Sequence, residues 1–211
     1  MKSKFFAAFA VFAISVVFAL PAQAIPLVSN LTSSHDGDFG GAPDSADDFM
    51  TGNVALNITS IDIFWDLANG GTNNQVGIFA DNGGIPGTTQ VGGWFTNPTA
   101  ITANTLISYV GNVTLAANTI YWMVVDILDA SQVGFTFNQV VFSDASTQGA
   151  TINGPNPGSA FGDAQAGTWT NDRANLLYAL NGVAVVPEPG ALALLGLGLA
   201  GMGLARRRKK I

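Results

Sequence analysis

Cysteine is absent from the 211 residues, which excludes disulfide bracing, thiol nucleophiles and cysteine-based metal sites within this chain. Histidine occurs once, at His35. A Ser-His-Asp relay would have to use it, but it sits in Ser33-Ser34-His35-Asp36-Gly37-Asp38 and no Gly-x-Ser-x-Gly elbow is present, so it reads as a solvated surface residue. Glutamate also occurs once, at Glu188, and the basic residues are confined almost entirely to the ends. Of eight, Lys2 and Lys4 lie at the start and five at residues 206–210, leaving only Arg173 between residues 25 and 186. That segment holds thirteen aspartates, so 1 − 13 gives a net charge of −12. Nucleic acid is therefore not an expected partner, because phosphate neutralisation needs Lys or Arg. Nothing pairs two carboxylates as glycoside hydrolysis requires, and no other catalytic constellation is visible. The expectation is a protein that is not an enzyme.

The two apolar runs lie at the termini. Residues 1–24 carry Lys2 and Lys4, an apolar core over 5–20 and the small-residue site Ala22-Gln23-Ala24, the pattern of a secretory signal peptide acted on by signal peptidase and the secretion machinery. At the other end Pro187-Glu188-Pro189-Gly190 precedes an uncharged run over 191–205, which stops at Arg206-Arg207-Arg208-Lys209-Lys210. The two prolines keep Glu188 in an extended peptide that cannot join a helix interior. As a helix the run would reach about 22 Å, short of a hydrocarbon layer of roughly 30 Å. It is thus a marginal transmembrane helix, with its basic end cytoplasmic by the positive-inside rule.

Residues 186–211 closely resemble the PEP-CTERM sorting signal of exopolysaccharide-producing Gram-negative bacteria. The resemblance rests on the Pro-Glu-Pro tripeptide, the Gly- and Leu-rich span Leu192-Ala193-Leu194-Leu195-Gly196-Leu197-Gly198-Leu199 and the Arg-rich end, in that order. It implies that Pro187, Glu188 and Pro189 are read as substrate by an exosortase, a polytopic membrane enzyme, and that the inner membrane is occupied only transiently before release to the cell surface or extracellular matrix.

Between the termini, residues 25–185 form one domain's length, enough to bury a core without disulfides. Ile61, Ile63, Trp65 and Leu67 alternate with Asp62, Phe64 and Asp66, which suits a strand with one buried face. Further strands are expected at 74–80, 90–95, 106–114, 119–128, 133–142 and 176–186, with a long loop over 144–172 containing at most a short strand near Trp169. No helix-length 3.6-residue pattern intervenes. The expected fold is all-β, an antiparallel β-sandwich of jelly-roll-like type. Ala46-Asp47-Asp48-Phe49, the run from Val76 to Gly87 with its Asp81-Asn82-Gly83-Gly84 turn, and Leu115-Ala116-Ala117-Asn118-Thr119-Ile120-Tyr121-Trp122 resemble the β-rich choice-of-anchor ectodomains, for which no general activity is implied.

Two binding chemistries are suggested. Asp36, Asp38, Asp44 and Asp47 fall at positions 1, 3, 9 and 12 of a Gly-rich acidic segment, with hard oxygens of the kind calcium takes. The segment departs from an EF-hand at Gly40, Pro43 and Asp47, and a solvated acidic turn is the alternative. Trp94, Trp169 and Tyr109 neighbour Gly, Thr and Asn and could present aromatic faces to polysaccharide, against the alternative of burial. Trp65 and Trp122 read as core. The function expected is a structural or adhesive surface or matrix protein; the alternatives are a carbohydrate-binding module assisted by calcium and, last, a hydrolase of matrix polysaccharide.

Overall fold

The computed structural model describes residues 25–32, 37–40, 44–68, 74–96, 105–128, 133–138, 145–146, 150–152, 159–172 and 175–185. Both termini, and with them the signal-peptide and sorting-tail expectations, lie outside these residues. All the regular structure described is β. In chain order the strands are β1 (Ile25–Ser29), β2 (Gly37–Gly40), β3 (Asp44–Met50), β4 (Ala55–Ala68), β5 (Asn74–Asp81), β6 (Pro86–Phe95), β7 (Thr105–Leu115) and β8 (Ile120–Ile127). There follow β9 (Val133–Asn138), β10 (Ala145–Ser146), β11 (Thr151–Ile152), β12 (Ser159–Asp163), β13 (Thr168–Asp172), β14 (Asn175–Leu176) and β15 (Tyr178–Val185).

They form two sheets in which every pairing is antiparallel. One has the order β10-β1-β15-β4-β9-β14, with β2 on β9 and β7 on β4; the other runs β13-β12-β3-β8-β5-β6, with β11 on β3. Leu56, Ile58, Ile61, Ile63, Trp65, Tyr109 and Tyr178 of the first sheet share one apolar cluster with Phe49, Val76, Ile78, Tyr121, Met123 and Val125 of the second. The sheets therefore face each other across a common core, as alternating side chains on two stacked sheets require.

The alternation seen from Ile61 onward continues back to Ala55, but in the opposite phase. Between Ile58 and Ser60 the chain carries an extra residue, Thr59, so that Ile58 and Ile61 both point inward. Such a bulge shifts the phase of every residue beyond it. On the neighbouring strand Gly182 lies opposite Ile58, and a Cβ there would stand 1.9 Å from the Asn57 carbonyl oxygen. Only glycine admits this approach.

Two sequence expectations need correction. Residues 36–48 are not one acidic loop: β2 belongs to the first sheet and β3 to the second. Residues 144–172 are not one long loop either, since β10, β11 and the β12–β13 hairpin lie there. Their short, Gly-rich and polar segments lack periodicity, and their pairing comes from the edges of β1 and β3.

Candidate functional site

The second sheet has a second buried layer on the face turned away from the main core. Inward residues of β8 alternate with Trp122 and Val124, which join Ala46, Phe79 and Ala160 in a separate cluster. Ala164 and Trp169 of the β12–β13 hairpin pack on it. At the tip of that hairpin Gly167, with φ of 66°, comes so near β6 that a Cβ would lie 3.0 Å from Thr88 Cγ2. Since β13 and β6 are opposite ends of the sheet order, the sheet curls until its two edges meet over Trp122.

At the β6 side of this face an aromatic ring stays open to solvent. Trp94 is 37% exposed and stands against Phe79, with ring centroids 5.6 Å apart and planes tilted by 58°, a favourable geometry for aromatic pairs. Gly77 makes room for it: a Cβ there would meet Trp94 Cε3 at 2.9 Å and Gln90 Nε2 at 2.8 Å. That Gln90 amide nitrogen is buried without a hydrogen-bond acceptor. Beneath, the Trp122 indole Nε1–H donates to Asp81 Oδ1 at 2.8 Å. The Asp81 carboxylate also accepts from the backbone N–H groups of Gly83 and Gly84, which close the β5–β6 turn with positive φ values of 71° and 91°. At the other end of the same face the Gln75 side-chain amide donates to Asp126 at 2.7 Å.

Of the residues singled out for sugar contact, Trp94 is on the surface and Trp169 is partly buried against the outer cluster. Tyr109 is not available: it is fully buried, and its hydroxyl donates to Asn74 Oδ1 at 2.9 Å. Burial holds its hydroxyl proton well above the ordinary phenol range, outweighing hydrogen bonds to Trp65 and Asn74 that act the other way. Trp65 and Trp122 are core, as their apolar contexts indicate.

Of the calcium quartet, Asp44 and Asp47 are the members whose side chains are described. Asp36 and the Asp38 side chain lie outside the described residues, and β2 carries Asp38 in the other sheet. Asp44 and Asp47 are three residues apart on one strand and so point to opposite faces. Asp44 accepts two backbone hydrogen bonds at 2.7 Å, from Ile127 N–H and Ala164 N–H. Its carboxyl titrates above the usual carboxylate range, first because it is desolvated and then because Asp126 and Asp163 are near; the two N–H groups oppose the shift. Asp47 is buried in the core, where it accepts from Leu176 N–H. Among the described residues no group of three or more His, Asp or Glu side chains is placed to hold a metal ion.

Phe79, Gln90 and Asp81 complete the Trp94 face and were not marked by the sequence as functional. The only available signal was the Asp81-Asn82-Gly83-Gly84 turn, which specifies a hairpin and says nothing of a ligand.

Strand β15 pairs with β4 as far as Val185, opposite Ala55. Pro187, Glu188 and Pro189 lie just beyond the described residues. Among the described residues no helix is long and apolar enough to cross a membrane. The described residues thus form an all-β domain of two antiparallel sheets, which a C-terminal extension follows in sequence. That extension, residues 185–209, matches the PEP-CTERM protein-sorting motif, which implies export and processing by an exosortase. None of the curated proteins compared with the chain matches it. Among solved structures, the chain is similar to the clostridial cysteine protease Cwp84 after propeptide cleavage, at 12% identity and a TM-score of 0.45 over 74% of this chain. It is also similar to the cysteine protease and lectin-like domains of Cwp84 of Clostridium difficile, at 13% identity and a TM-score of 0.40, again over 74% of this chain. The chain spans about 40% and 36% of those two chains. Likeness at this level assigns no activity.

Proposed function

We propose that this is an exported, non-enzymatic surface or matrix protein whose tail is read and removed by an exosortase, leaving the two-sheet domain to serve a structural or adhesive role in an exopolysaccharide matrix. The supporting observation is the sorting motif at 185–209 joined to the last strand of the domain. In this reading Pro187, Glu188 and Pro189 are substrate groups, with the two prolines holding the peptide extended for the enzyme's cleft. Intact mass and cell fractionation of wild type against Glu188→Ala test it. Wild type should lose the tail and leave the inner membrane, while the variant keeps residues 191–211 and stays there. Equal retention of the tail in both would make it a plain anchor.

A second reading, recognition of matrix polysaccharide by the ectodomain, is favoured by the open Trp94 ring beside the buried Gln90 amide donor. Sugar rings stack on such faces, and a net charge of −12 over residues 25–186 selects neutral polymers over polyanions. A pull-down on extracted polysaccharide should lose binding in Trp94→Ala while the melting transition is kept. No binding by wild type would remove this reading and leave the first intact.

A further inference from the structure

The end of the domain from which the tail departs is built differently from the far end. There β3 passes to β4 through residues 51–54 and β7 passes to β8 through residues 116–119, and the two connections are stitched together. Thr51 N–H donates to the Thr119 carbonyl and Thr119 N–H to the Thr51 hydroxyl, which itself donates to the Ala116 carbonyl at 2.7 Å. Asn118, in the left-handed region with φ of 49°, donates its N–H to the Gly52 carbonyl at 2.7 Å. The result is one rigid cap beside Val185, presenting Asn53, Thr114, Ala116 and Asn118 to solvent.

The cap carries no formal charge. Residues 51–58, 111–120 and 182–186 contain no Asp, Glu, Lys or Arg, although thirteen aspartates lie between residues 25 and 186. Asp44, Asp126 and Asp163 sit at the opposite end, where β3, β8 and β12 meet. Asp47, Asp48 and Asp62 lie part-way along their strands, and Asp172, the last residue of β13, is level with Asp47 through Ser159. At the tail end the described residues include one acid, Asp81, whose carboxylate is turned onto Trp122 and two backbone N–H groups.

The spacing gives this polarity a consequence. Five residues, 186–190, separate Val185 from the apolar run, and even fully extended they span only about 17 Å. The Debye length at physiological salt is about 8 Å, so acids at this end would feel an anionic bilayer surface for as long as the tail is inserted. We propose that the uncharged cap around residues 51–54 and 116–119 is the face that rests against anionic lipid headgroups while the chain is tethered, which keeps Glu188 at membrane level for the processing enzyme. This rests on the sorting reading of the tail.

The absence of native cysteine makes single-site labelling direct. Full-length protein carrying a fluorophore at Asn53→Cys or Leu128→Cys would be reconstituted into enzyme-free vesicles of phosphatidylethanolamine and phosphatidylglycerol containing a headgroup-attached quencher. The probe at 53 should be quenched several-fold more than the probe at 128, which is exposed at the far end of β8; equal quenching overturns the proposal. In cells, Asn53→Asp/Ala116→Asp/Asn118→Asp should slow loss of the tail about fivefold or more, since each charge near such a surface counts for about 1 kcal/mol. Leu106→Asp/Ser108→Asp/Leu128→Asp, exposed positions away from the cap, should leave the rate within about twofold, with melting temperatures confirming that both variants fold. A twelve-residue Gly-Ser insertion after Val185 should restore the slowed variant; slowing that the insertion does not relieve would place the effect in the enzyme's cleft and overturn the proposal. Wild type that never loses its tail would refute the sorting reading, while the quenching contrast still decides the proposal.

Discussion

The two faces of the seven-stranded sheet bury side chains in different ways. Its inner face meets a whole second sheet, and Phe49, Val76, Ile78, Met123 and Val125 are sealed there against residues from both layers. Its outer face buries a smaller apolar set, Ala46, Phe79, Trp122, Val124 and Ala160, and the cover is the β12–β13 hairpin curled back from the sheet's own edge. A core closed by two sheets is secured by pairings along every strand. A layer closed by one hairpin depends on that hairpin staying down, so it should be the weaker and more mobile of the two.

The sharpest way to break this contrast is to cut equal holes in both layers. Val125→Ala removes two methyl groups of a fully buried side chain between the sheets and should cost about 2–3 kcal/mol in urea unfolding. Val124→Ala, equally buried in the outer layer, removes the same atoms from a site the hairpin can settle into, and should cost about 1–2 kcal/mol. Equal costs would mean that the outer layer is as firmly closed as the inner one.

A second comparison uses glycines in the two regions that face the same obstruction. A Cβ at Gly182 would lie 1.9 Å from the Asn57 carbonyl oxygen, and one at Gly162 would lie 1.9 Å from that of Thr168. Gly182 sits between β4 and β1 in the middle of the first sheet, so Gly182→Ala should lower global stability by roughly 3 kcal/mol. Gly162 pairs within the edge hairpin, so Gly162→Ala should lower it by about 1 kcal/mol and speed amide exchange selectively in β12 and β13. Global loss from Gly162→Ala would show that the hairpin is integral to the main fold.

How far the sequence discloses this arrangement depends on which rule governs each residue. The alternation at Ile61, Ile63 and Trp65 and the apolar run of β8 are direct consequences of burial and were legible. The phase change at Thr59 was not, because a bulge is set by the neighbouring strand and by Gly182 rather than by local pattern. Asn30 and Asp47 are polar residues in the core that composition would place outside. They are there because the strand breaks at Leu177: Asn30 takes the Leu176 carbonyl and the Tyr178 N–H, and Asp47 takes the Leu176 N–H. Backbone groups that a strand break leaves buried must find partners, but a sequence does not say from how far away they come. Tyr109 and Trp94 show the same limit, since both have polar neighbours in sequence and only tertiary packing separates the buried ring from the open one. The sorting motif was fully legible because a linear peptide carries it.

The smallest effect expected concerns Asp44, where the hairpin's return is fastened by the Ala164 N–H. Desolvation first, and then Asp126 and Asp163, raise its folded titration point above the ordinary aspartate value of 3.8. A carboxyl whose affinity for protons is raised on folding binds more protons folded than unfolded across that interval. Its contribution to stability is therefore greatest below the unfolded titration point and declines as pH rises through the folded one. Carbon-detected NMR titration should show the raised midpoint directly. Asp126→Asn or Asp163→Asn should bring it down without returning it to the ordinary value, because burial is the larger cause and is untouched by either substitution. A midpoint indifferent to both substitutions would show that the three carboxylates do not sense one another, and that the hairpin's anchor feels only its own burial.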